Sequence, residues 1–188
     1  MAFVVVHGIN PKGYEALWLG SLFSFDNIRN GNTDWVMINL ALIMSMVMPS
    51  VVTNDLADRI AIIESNYNHL AVGDNYNARG AYQLHECAWI DGIAQLKKEG
   101  RSEECDDWAY RQDSFHAYRS REVCMAYLRL IEKNIIRAGY TPTKERIYMC
   151  YNLGFHAAVY RYKLNPLSSR LPDIRKAILR RAKFYLNK

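Results

Sequence analysis

The stretch ESNYNHLAVGDNYNARGAYQLH, residues 64 to 85, concentrates the side chains best suited to acid–base chemistry. Glu64 closes an apolar run that contains Ile60 and Ile63. Apolar surroundings disfavour a charged carboxylate and push its pKa up. A carboxylic acid held protonated near neutral pH is what cleavage of a glycosidic bond requires, because the leaving oxygen must receive a proton. Asp74 follows Gly73 ten residues on, where it can face Glu64 across a cleft. A Gly-Asp pair is equally a turn former whose carboxylate caps its own backbone, and a Glu at a helix end is common on protein surfaces. Spacing alone does not choose between these readings. Gln83 has less structural excuse, since a side-chain amide beside Leu84 needs partners if buried. Gly80 suits a place where backbone or a sugar must approach closely.

Other chemistries find less support. The histidines are His7, His69, His85, His116 and His156; no HExxH occurs and no two share a helix at ligand spacing, so no metal site is read. Cys87 and Cys124 lack a motif that places a histidine opposite either thiol. Gly-rich phosphate loops are absent. The single-acid chemistry calls for no cofactor.

The elements that must hold these residues follow from periodicity. Leu56, Ile60 and Ile63 recur at helical spacing behind Thr53 or Asn54 as N-cap, which predicts a helix ending near Ser65. Residues 71 to 84, with Gly73, Gly80 and several Asn, read as a small hairpin or irregular sheet. A helix is expected from about His85 to Lys98, closed by Gly100, and then a polar loop, GRSEECDDW. A long helix from about Ser114 to Arg137 carries Cys124, Leu128, Ile131 and Ile135 on one stripe, with Gly139 after its end. Thr141-Pro142 starts another, with Pro at the first helical position, running through Ile147 and Tyr151 to about Asn152. Gly154 breaks it, and a short helix through His156 to Tyr162 follows. Leu171, Ile174, Ile178, Ala182 and Tyr185 mark a last amphipathic helix opened by Pro172. The expected fold class is mostly α with one small β-hairpin.

A chain of 188 residues can bury a substantial core. Half of it is hydrophobic and 23% charged, a globular rather than a disordered composition. The 13 tyrosines suit either a groove that stacks on sugar rings or bases, or ordinary packing with the hydroxyl at the surface. The net charge of +5 is concentrated in the tail, where residues 170 to 188 hold seven Lys or Arg against Asp173. Such a tail fits a polyanion such as nucleic acid, anionic lipid or an acidic wall polymer, or else a solvated helix face. The four cysteines, Cys87, Cys105, Cys124 and Cys150, form no CxxC pair and permit either two disulfides or buried thiols. Residues 1 to 35 show no sustained period. The apolar segment Val36 to Val52 carries no charge over 17 residues. It reads as a docking helix buried on the following domain or as a membrane-interacting anchor. A signal peptide fits less well, because the segment starts late and lacks a basic leader.

Three short motifs occur in order: Glu64-Ser65, Gly80-Ala81-Tyr82-Gln83 and Tyr151-Asn152-Leu153-Gly154. Together they resemble the lysozyme-like lytic transglycosylase domains of bacteria and their phages. The Gly73-Asp74 pair and Tyr82 are most similar to phage-encoded and virion-associated variants. The resemblance covers roughly residues 55 to 162. It implies a lysozyme-like domain over 53–165, preceded by an N-terminal extension (1–52) and followed by a basic amphipathic helix (166–188), with the hairpin lining a glycan cleft. It further implies Glu64 as acid and then base, with Ser65 orienting the substrate or Glu64. Gly80, Tyr82 and Gln83 would form the wall of the sugar subsites, and Tyr151 and Asn152 would complete the cleft, Tyr151 by bonding the acid or the substrate. Cys150 and Leu153 depart from the small residues usual around the third motif.

The implied substrate is the glycan strand of peptidoglycan, cleaved between N-acetylmuramic acid and N-acetylglucosamine. The implied setting is virion-associated or exported action in the bacterial periplasm or cell wall. Other virion proteins or a membrane are expected partners of residues 36–52. In a transglycosylase the substrate's N-acetyl group supports the cationic centre, and the deprotonated Glu recruits the 6-hydroxyl to close an anhydro ring. A hydrolytic muramidase instead uses a second carboxylate, here Asp74, to position water or stabilise the cation. A structural or membrane-penetrating virion protein with a glycan-gripping domain is the expectation from another class; a helix-end acid has no purpose in a pure binding module. Nucleic-acid binding would rest on the tail's charge alone.

Overall fold

The computed structural model describes residues 49–188. The expectations for residues 1–48, including residues 36–48 of the apolar segment, lie outside the described residues. Among the described residues no helix is long and apolar enough to cross a membrane.

Helix α1 spans Asn54–Ser65. Thr53 caps it, its side chain accepting from the Leu56 amide at 3.2 Å, one of the four donors that a helix start leaves unpaired. The helix ends at Asn66 in the left-handed region (φ 54°), whose amide bonds the Ile62 carbonyl. A two-stranded antiparallel hairpin follows. Its strands are β1 (Val72–Gly73) and β2 (Ala78–Arg79), with Val72 opposite Arg79 and Gly73 opposite Ala78. Helix α2 covers Glu86–Lys98, and two one-turn helices, α3 (Ser102–Cys105) and α4 (Tyr110–Asp113), lead to α5 (Ala117–Arg137). Helix α6 is Lys144–Leu153, a π-helical turn spans Ala157–Arg161, and α7 is Asp173–Leu186.

Helix α5 is the organising element, packed most extensively on α2 and also on α6 and α1. Its expected stripe is in the core: Cys124, Leu128 and Ile135 are fully buried and Ile131 nearly so. Gly92 permits the close approach of α2, because a Cβ there would fall 2.7 Å from the Val123 side chain and carbonyl. Glycine inside a helix costs roughly 0.5–1 kcal/mol relative to Ala, offset here by dense helix–helix contact.

Helix α7 lies antiparallel to α1 and also packs on α6. Arg59 of α1 donates to the Tyr185 carbonyl at 2.6 Å, and Arg181 of α7 to the Ile63 carbonyl at 3.1 Å. The basic C-terminal helix therefore shares the core of the helices before it. At the other end, Glu132 of α5 accepts from Ser50 Oγ at 2.6 Å and the Val51 amide at 2.7 Å, and Val52 is buried.

Several expected boundaries move. The cap of α6 is Thr143, accepting from the Arg146 amide, so Pro142 precedes the helix instead of opening it. The expected polar loop contains α3, because Cys105 is a core residue. Ser114 lies between α4 and α5, which begins only at Ala117. The expected stripe on α7 is largely inward: Leu171, just before the helix, and Ala182 are buried and Ile178 and Tyr185 pack against the core, but Ile174 is 71% exposed and Leu179 and Leu186 are buried as well. The buried face is thus rotated slightly toward Leu179 and Leu186, a shift that a 3.6-residue period alone does not fix and that docking on α1 and α6 decides. All four cysteines are free, Cys87 exposed and the other three buried.

Candidate active site

The end of α1 brings Glu64 to a half-buried position. Tyr148 of α6, fixed in the core with 1% exposure, donates its phenol to Glu64 Oε1 at 2.8 Å. Burial raises the pKa of Glu64 above the ordinary carboxylate range. The Tyr148 hydrogen bond and the charges of Arg181 and Arg175 oppose that rise without cancelling it. Burial also pushes the Tyr148 phenol well up, with the neighbouring Glu64 charge adding to the effect, so it remains a donor. The sequence expectation of a helix-end acid in water-poor surroundings agrees with this geometry.

The three motifs meet through backbone. Ser65 Oγ donates to the Ala81 carbonyl at 2.7 Å and accepts from the Asn68 amide at 3.0 Å. Tyr151 donates its hydroxyl to the Tyr82 carbonyl. Adjacent carbonyls of the Gly80–Gln83 segment are thus clamped, one from the end of α1 and one from α6. Tyr148 and Tyr151 stack at 6.4 Å with 18° between their planes. Gly80 lies at φ 72° with its amide on the Ala71 carbonyl, and a Cβ there would come within 1.9 Å of the Ser114 carbonyl oxygen. Close backbone approach, one of the two reasons expected for this glycine, is therefore present.

Other expected roles are corrected. Tyr82 is 1% exposed, so its ring is core and cannot line a sugar subsite. Tyr151 does not bond the acid, because the clamp on Tyr82 uses its proton; Tyr148, one helical turn earlier, bonds Glu64 instead. Gly80 is buried and contributes backbone geometry alone. Ser65 acts through the Ala81 carbonyl with no bond to Glu64.

Gln83 is half-buried in the left-handed region (φ 47°), its amide donating to the Gly80 carbonyl at 2.9 Å. Its Oε1 lies over Gly73, where a Cβ would come within 2.3 Å. Asn152 accepts from Arg175 Nη1 at 3.1 Å.

Asp74 sits in a run of three left-handed residues, Asp74, Asn75 and Tyr76 (φ 49°, 52° and 72°). Its side chain is 64% exposed and contacts His85 Nε2 at 3.1 Å. It is thus a turn residue with its own partner. A cavity of about 290 Å³ beside this pair is lined by His85, Tyr76, Arg79 and Tyr110 among others, and one of about 190 Å³ has Tyr148, Leu167, Leu179 and Lys183 in its wall. Glu64 lines neither. Among the described residues no cluster of His, Cys, Asp and Glu could hold a metal ion.

The residues that sequence reasoning missed are Tyr148, Arg175 and Arg181. Tyr148 carried a usable signal: it stands one turn before Tyr151 and so shares its helix face. The two arginines were hidden in a tail read for its overall charge. Compared with protein-family models, curated proteins and solved structures, the chain matches none.

Proposed function

We propose that this protein is a peptidoglycan lytic transglycosylase, cleaving the β-1,4 bond between N-acetylmuramic acid and N-acetylglucosamine. The observation that carries the reading is the state of Glu64: a helix-end carboxyl, half-buried, with a raised pKa and one phenol donor on Oε1. As the acid such a group can give the leaving oxygen its proton, and as the carboxylate it can accept one from a sugar hydroxyl. Tyr148 stabilises the second state more than the first, which suits a residue that must alternate between them.

The engagement of Asp74 with His85 supports a single-carboxylate mechanism. The deprotonated Glu64 then draws the proton from the substrate's 6-hydroxyl, which closes the anhydro ring. The wall-penetration or lysis apparatus of a bacteriophage is the setting we propose, and it rests on the resemblance of the three motifs to phage-encoded domains. On this reading α1, α6 and the hairpin segment form the glycan-binding face, with Gln83 and Asn152 contributing side-chain amides.

Glu64→Gln tests the assignment, since the amide keeps the shape and cannot act as the acid. Clearing of purified peptidoglycan should fall roughly a hundred- to ten-thousand-fold, the usual contribution of a positioned acid–base group. Equal clearing by wild type and variant would remove Glu64 from the mechanism.

A further inference from the structure

Helix α7 carries most of the tail's positive charge, yet two of its arginines bond the very segments that end at the candidate site. Arg181 Nη2 donates at 3.1 Å to the carbonyl of Ile63, the residue before Glu64. This carbonyl lies in the last turn of α1, where intrahelical donors run out, and a cation there also complements the negative end of the helix dipole. Arg175 Nη1 donates at 3.1 Å to Asn152 Oδ1, near the end of α6. With Oδ1 so occupied, Asn152 offers its two amide N–H donors.

We propose that Arg175 and Arg181 are positioning residues of the Glu64 site. Arg181 holds the end of α1 that carries the acid, and Arg175 turns the Asn152 amide so that it presents donors to substrate. The inference rests on the reading of Glu64 as the catalytic acid. It places the C-terminal helix within the machinery of the site, in contrast to a separate polyanion-binding tail.

The groups facing Glu64 make the arginines readable by titration. From α6 these are Tyr148 and Tyr151, from α5 Cys124, and from α7 Arg175 and Arg181. Burial pushes both phenols and the Cys124 thiol far up, so they stay neutral across the working range. Among the described residues, the charges that bias Glu64 are those of the two arginines, and both favour its ionised form. Of the two, Arg181 is the larger influence, and removing its charge should let Glu64 hold its proton to higher pH.

The experiment compares wild type with Arg181→Met, Arg181→Lys and Arg175→Met. It follows the Glu64 side-chain carboxyl by carbon-detected NMR through a pH titration, and measures kcat and KM on purified peptidoglycan. Arg181→Met should raise the Glu64 midpoint and carry the alkaline limb of kcat/KM upward with it. Arg181→Lys, which keeps charge and a donor, should restore both at least in part. Arg175→Met should raise KM by about two- to tenfold with kcat held, the effect of one misplaced neutral hydrogen bond. An unmoved midpoint in Arg181→Met, or a Lys variant no better than Met, overturns the role of Arg181. Unchanged KM in Arg175→Met, or an equal fall in kcat, overturns that of Arg175. Should wild type itself leave peptidoglycan intact, the enzymatic reading fails, while the titration still decides Arg181.

Discussion

Replacing Tyr148 by phenylalanine removes one oxygen and leaves the buried ring in place. In the native site that oxygen donates to Glu64 Oε1 at 2.8 Å. A hydrogen bond to a charged group contributes about 1.5–3 kcal/mol. Glu64 is half-buried, so water replaces part of the lost bond, and about 1–2 kcal/mol is expected where Glu64 is ionised. The dependence on pH is the sharper test. Burial raises the folded-state pKa of Glu64 above its unfolded value, so between those two values the native state binds more protons than the unfolded chain. The stability from Glu64 is therefore fully present below the unfolded carboxylate pKa and is lost as pH rises through the folded one. Tyr148 limits that loss by stabilising the carboxylate. Tyr148→Phe should consequently cost little at about pH 4 and about 1–2 kcal/mol at about pH 8. Urea denaturation of both proteins across this range measures the difference directly, whatever the enzyme's substrate. A cost independent of pH, or larger in acid, would refute the electrostatic account of the Tyr148–Glu64 pair.

Two further outcomes follow from the geometry. Gly80→Ala places a methyl 1.9 Å from the Ser114 carbonyl oxygen at φ 72°; left-handed strain and overpacking together should cost at least about 2 kcal/mol in chemical denaturation, and a loss below that would mean the hairpin yields easily. Asp74→Asn removes an exposed carboxylate already engaged by His85; cleavage of peptidoglycan should persist within about tenfold of wild type, whereas a loss comparable to that of Glu64→Gln would overturn the single-carboxylate mechanism.

The parts of this fold visible in the sequence are those governed by local rules. The Thr53 cap and the apolar spacing of Leu56, Ile60 and Ile63 define α1 and put Glu64 at its end. Likewise, the stripe from Cys124 to Ile135 defines the buried face of α5. What local rules cannot supply is which of two acceptable faces is buried, and which hydroxyl reaches which acceptor. Helix α7 shows the first: Ile174 and Leu179 are both apolar, and only docking against α1 and α6 decides that Leu179 is inside. Tyr148 and Tyr151 show the second. One turn apart on α6, they send their protons to Glu64 and to the Tyr82 carbonyl respectively, an assignment set by tertiary contact. The basic tail is a third case, where counting charge concealed two arginines with particular partners, Ile63 and Asn152.

The most direct test of the central claim is mass analysis of the products from purified peptidoglycan digested by wild type and by Glu64→Gln. The single-acid account predicts muropeptides ending in anhydro-muramyl groups from wild type, and none from the variant. Reducing ends from wild type would contradict the transglycosylase mechanism, and identical products from both proteins would contradict the role of Glu64 itself.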